Sequence, residues 1–73
     1  PFINRMNISA KYLIKILEAN GFIFKRSNGS HQLFYQPTNN ITVLVPVHGN
    51  KDLKKGTFLS ILKQAGIDKK DWI

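Results

Sequence analysis

Asn28-Gly29 lies between two short runs of strand-forming residues, and nothing else in the chain restricts its fold as much. Both central positions of a type I′ turn require positive φ, which Asn and Gly accept, so the dipeptide predicts a tight hairpin between residues 22–27 and 30–36. A two-residue turn at this point sets Arg26 opposite His31 and Phe24 opposite Leu33. Strand alternation then collects Phe22, Phe24, Arg26, His31, Leu33 and Tyr35 on one face. That face is apolar far from the turn and ends near it in an arginine and a histidine. The other face, with Ile23, Lys25, Gln32 and Phe34, is mixed.

The flanking segments complete the element order. Residues 37–40 form a turn cluster, and residues 41–45 are a β-branched run that reads as the best strand. Pro46 closes that strand because it has no N–H to give a ladder. Residues 47–55 are a polar, lysine-rich loop. Before the hairpin, Leu13, Ile16, Leu17 and Asn20 recur at helical spacing within residues 9–20, with Lys11, Lys15 and Glu18 on the wet side. Ser9 is the expected N-cap and Gly21 the stop. After the loop, Phe58, Ile61, Leu62 and Ala65 predict a helix over 57–65, capped by Thr57 and ended by Gly66. Asp68 is placed to cap one further turn reaching Trp72, with Asp71 in a weak capping-box position. The order helix, three strands, helix defines an α+β fold. Hairpin-type connections make its sheet antiparallel, and a chain of 73 residues has only the two helices to cover one face. This is the α-β-β-β-α layout of the double-stranded-RNA-binding domain. One domain over 6–73 is expected, with residues 1–5, ahead of Met6, as a natural extension or a cloning remnant.

Eleven Lys and Arg against four Asp and Glu give a formal net charge of +7. Such a field draws polyanions, nucleic acid first and an acidic protein next. No stretch reads as a basic amphipathic anchor, no apolar run approaches the roughly 20 residues of a membrane span, and no signal peptide is visible. With no cysteine, the chain fits a reducing cytoplasm and has no disulfide.

Histidine is the side chain suited to exchanging protons near neutral pH. RNA cleavage needs a base for the ribose 2′-OH, an acid for the leaving 5′ oxygen, and cations for the charge on the phosphoryl oxygens. His31 follows Asn28-Gly29-Ser30 at the hairpin tip, with the Ser30 hydroxyl beside it and Lys25 and Arg26 within reach. The bland alternative is a solvated hairpin histidine. His48, in Val47-His48-Gly49-Asn50-Lys51, is placed either to contact phosphate or to fix its own loop. Lys51, Lys54 and Lys55 precede the second helix, where lysines and helix-start N–H groups suit a phosphate backbone. A solvated lysine loop is the alternative. Two histidines, no cysteine and four scattered acids match no zinc spacing and no two-metal nuclease cluster. Neither a metal nor a small-molecule cofactor is therefore expected.

Three motifs in order resemble one family. They are Gly29-Ser30-His31 at the second strand, Val45-Pro46-Val47-His48-Gly49-Asn50 after the third, and Leu53-Lys54-Lys55-Gly56-Thr57 leading into Leu59-Ser60-Ile61-Leu62-Lys63-Gln64-Ala65-Gly66. With the opening helix and the Gly21-Phe22 junction, the sequence resembles the HicA toxins from Ile8 to Ile67. The resemblance implies a ribosome-independent mRNA interferase of toxin–antitoxin systems, with a fold like the double-stranded-RNA-binding domain. It implies His31 as the catalytic histidine, and a HicB-type antitoxin that covers the active site and whose acidic surface suits the charge. The rival reading is a non-catalytic RNA-binding module of the same fold. A DNA-binding regulator is disfavoured, since no recognition helix rich in base-reading residues is visible.

Overall fold

Both helices stop for local reasons, and α1 also starts for one. The computed structural model describes residues 7–68, in the order α1 (Ala10–Ala19), β1 (Ile23–Asn28), β2 (His31–Gln36), β3 (Ile41–Pro46) and α2 (Lys55–Gln64). Ser9 is the N-cap of α1, and its hydroxyl oxygen accepts from the Tyr12 N–H at 3.1 Å. Alanine at position 9 leaves that N–H without its acceptor. We expect Ser9→Ala to cost about 1 kcal/mol, read as a lower urea midpoint at unchanged slope.

The two helices end alike. At α1, Phe22 N–H donates to Leu17 O and Gly21 N–H to Glu18 O. At α2, Ile67 N–H donates to Leu62 O and Gly66 N–H to Lys63 O. With Gly21 at φ +88 and Gly66 at φ +73, both are Schellman caps, in which a left-handed residue lets two orphan carbonyls find donors. Each cap also delivers an apolar residue to the core, since Leu17, Phe22, Leu62 and Ile67 are all buried.

The start of α2 departs from expectation. The helix begins at Lys55 with Lys54 as N-cap and no side-chain capping bond, so Thr57 lies inside the first turn. Burial of Leu53 and its N–H bond to Ile8 O at 2.9 Å fix the chain just upstream. The Phe58 N–H bond to Lys54 O then closes the first turn earlier than the Thr57 cap would allow. The predicted extra turn out to Trp72 lies outside the described residues, as do Met6 and the five residues before it.

The strands form one antiparallel sheet in the order β1-β2-β3. The hairpin turn is Gly29-Ser30, one residue later than predicted, with Asn28 opposite His31. Gly29 has φ +63 while Ser30 stays out of the left-handed region, which is the type II′ pattern with glycine first. Arg26 therefore pairs with Leu33, not with His31. Beyond it the register slips at Lys25, and Phe24 pairs with Phe34 instead of Leu33. The bulge thus moves Phe24 to the opposite face from the predicted one, and its ring meets that of Phe34 edge-on at 5.7 Å.

The face that packs on the helices is the one that looked mixed in the sequence. Phe34, Val43 and Val45 bury there against Leu13 and Leu17 of α1 and Phe58, Ile61 and Leu62 of α2. Register supplies the reason. Phe34 pairs with Val43 and Gln32 with Val45, so the β-branched residues of β3 select the face of β2 that goes inward. Gln32 and Gln36 are only half-buried, and the Gln36 amide reaches out to donate to Asn20 O at 2.6 Å. The other sheet face, bearing His31, Leu33, Tyr35, Thr42 and Leu44, is left open by the helices.

Candidate active-site groove

α2 packs beside β3, and along that edge of the sheet lies an open groove of about 590 Å³, whose lining includes the inward Val43 and the buried Ile61. His31, Leu33, Thr42, Leu44 and Pro46 line it from the sheet, and Gly56, Thr57, Ser60 and Gln64 from α2. His31 is exposed at the first position of β2, directly after the turn. Its partner across the sheet is Pro46. The Val47 N–H donates to Ser30 O at 2.6 Å one step further on, so His31 and Pro46 form a non-hydrogen-bonded pair. The missing N–H of Pro46 then faces the free edge of β3 and costs the ladder nothing. Such pairs bring their Cα atoms to about 4.5 Å. The proline ring therefore stands close against the histidine backbone and limits its movement.

The other expected site residues fall into two groups. Arg26 keeps the face of His31, but as its diagonal neighbour, because it pairs with Leu33. Lys25 occupies the bulge and places its ammonium 5.9 Å from the centroid of the Tyr35 ring, a cation–π distance. Ser30 is half-buried in the turn, its carbonyl taken by Val47. Away from the groove, His48 is exposed in its loop, where its carbonyl accepts from Lys51 N–H at 3.1 Å. Lys51, Lys54 and Lys55 are exposed, and Lys55 directly precedes the groove residue Gly56. Of the expected site residues, His31 alone is in the groove lining, and Lys25, Arg26, Ser30, His48, Lys51, Lys54 and Lys55 lie outside it.

The walls of the groove were missed in the sequence. Thr57, Ser60 and Gln64 recur at spacings of three and four, which puts them on one helical face. That signal was present beside the apolar stripe of the same helix. Alternation puts Leu33 on the face of His31, but Leu44 gives no local signal, because only the pairing of β2 with β3 makes it a neighbour of Leu33.

Among the described residues no three His, Cys, Asp or Glu side chains come together as a metal site, and no helix is long and apolar enough to cross a membrane. The fold and groove define a small basic α+β protein with the layout of a double-stranded-RNA-binding domain and an exposed histidine at its hairpin tip. The family model of the HicA toxins, described as the HicA toxin of bacterial toxin–antitoxin systems, matches residues 10–67. The chain belongs to the HicA toxin family. It is thereby the toxin half of a toxin–antitoxin pair, which implies a HicB-type antitoxin as partner. No curated protein matches the chain.

Proposed function

We propose that this toxin is a metal-independent endoribonuclease that cuts mRNA in the cytoplasm, with His31 as its catalytic residue. The observation that carries the reading is the position of His31. His31 is exposed, its backbone is held between the turn and Pro46, and it lines the groove in a protein of net charge +7. In the proposed reaction the ribose 2′-OH loses its proton and the 2′ oxygen attacks the adjacent phosphorus. The P–O5′ bond breaks and the 5′ oxygen takes up a proton. The products are a 2′,3′-cyclic phosphate and a 5′-hydroxyl. His31 serves as general acid or base in these transfers. Arg26, Lys25, Lys51, Lys54 and Lys55 hold the phosphates, with the Ser30 hydroxyl as a neutral donor beside the histidine. His48 contacts the RNA backbone from its loop. The antitoxin would silence the toxin by covering this groove. Imidazole proton transfer needs neither a metal nor an organic cofactor.

A labelled transcript incubated with the purified protein in excess EDTA tests the proposal. The expected result is time-dependent shortening that leaves cyclic-phosphate ends. A mobility shift with full-length RNA throughout would instead identify a non-catalytic RNA-binding module.

A further inference from the structure

The groove differs in chemistry from the rest of the surface. The chain carries a net charge of +7, yet no Lys or Arg among the described residues lines the groove. A site built for phosphate alone would gather cations. The sheet side instead offers apolar surface, with Leu33 half-buried and its cross-strand partner Leu44 50 % exposed, beside His31 and Thr42. From α2 come three neutral hydrogen-bonding groups, Thr57, Ser60 and Gln64, beside Gly56 and the buried Ile61. The exposed Gln64 amide donates to the Ser60 hydroxyl at 3.4 Å, a long bond that uses one N–H and leaves the carbonyl oxygen and second N–H for a ligand. The volume of about 590 Å³ lies within the roughly 300–1,000 Å³ usual for small-ligand sites.

From these features we infer that the groove seats one unpaired nucleobase of the RNA beside the scissile bond, its ring against Leu33 and Leu44 and its edge read by Gln64. This rests on the reading of the groove as the RNA site. Phosphate contacts position a nucleic acid, whereas base contacts specify it. An amide offers a donor and an acceptor side by side, the pair that glutamine uses on base edges. Only an unstacked, single-stranded base can enter such a seat. The toxin therefore selects single-stranded RNA with a base preference at one position, although its layout is that of a duplex-binding domain. The lysines outside the groove supply affinity that is indifferent to sequence.

Cleavage-resistant 2′-O-methyl hexanucleotides of A, C or U, with an abasic strand of equal length as reference, test the inference by NMR titration. The base-bearing strands should move the Leu33 and Leu44 methyl signals and the Gln64 side-chain amide, whereas the abasic strand should not. Affinities should differ at least fivefold among the bases. The exposed substitution Gln64→Ala should shrink that spread to within twofold and leave abasic binding unchanged. Groove signals that stay still, that move equally with the abasic strand, or a spread that survives Gln64→Ala would each overturn the base seat. Because these strands cannot be cut, the outcome is independent of the transcript assay. A groove that reads bases in a protein that leaves the transcript whole would retain the seat and refute the nuclease.

Discussion

His31→Ala should abolish RNA cleavage and leave the fold intact. Loss of a general acid or base lowers rates by about 10²–10⁴, equivalent to about 3–5 kcal/mol of transition-state stabilisation. The same substitution has little to disturb in the folded state. His31 is exposed, its backbone is held by the turn and the ladder, and its side chain faces an open groove. Surface changes of this kind stay within about 0.5 kcal/mol, a shift of roughly 2–4 °C in a domain of this size. Initial cleavage rates and a circular-dichroism melt on the same preparation read both halves. Induction in a bacterial host adds a third reading, because growth arrest should disappear with the activity. A variant that cuts within threefold of the unaltered protein would remove His31 from the chemistry, and the mouth of the groove would need another proton-transfer group.

The part of this site that was legible in the sequence is the part built by local rules. Both helices showed their apolar stripes, and both glycine stops turned out as Schellman caps. The place of His31 at the hairpin tip was legible because a turn-forming dipeptide stands just before it. What local pattern could not supply was register. Moving the turn from Asn28-Gly29 to Gly29-Ser30 changes the pairing by two residues, and a shift of two keeps every side chain on its face. Arg26 therefore stays on the His31 side even though its partner is Leu33. The bulge at Lys25 adds a single residue, and a shift of one reverses the faces, so Phe24 crosses to the side of Phe34. The choice between the two sheet faces was settled by Val43 and Val45, at least nine residues away from Phe34 and Gln32 along the chain and adjacent to them across the sheet. The groove was hidden for the same reason, since its walls belong to strands and a helix that meet only in the folded chain.

Phe34 stands three residues beyond His31 on the same strand and on the opposite face, and its replacement should have the reverse effect. Phe34 is 1 % exposed, lies across from Val43, and packs edge-on with Phe24 in the cluster shared with both helices. Phe34→Ala removes a ring from a close-packed interior that can collapse only in part, at a cost of about 3–5 kcal/mol. A domain of this length holds roughly 4–11 kcal/mol in all, at 0.05–0.15 kcal/mol per residue. The substitution therefore takes a large share of the total, and at 4–8 °C per kcal/mol it should lower the melting midpoint by at least about 12 °C. Such a protein would lose toxicity in the cell with its imidazole untouched, because the strand that carries His31 is no longer held against the helices. Cleavage measured well below the new midpoint separates the two causes. There Phe34→Ala should regain most of its activity, whereas His31→Ala should regain none at any temperature. A Phe34→Ala midpoint within 3 °C of the unaltered protein would mean that this face of β2 is not the buried one. The assignment of His31 to the open groove would then fail with it, since residues an odd number apart on one strand must point to opposite sides.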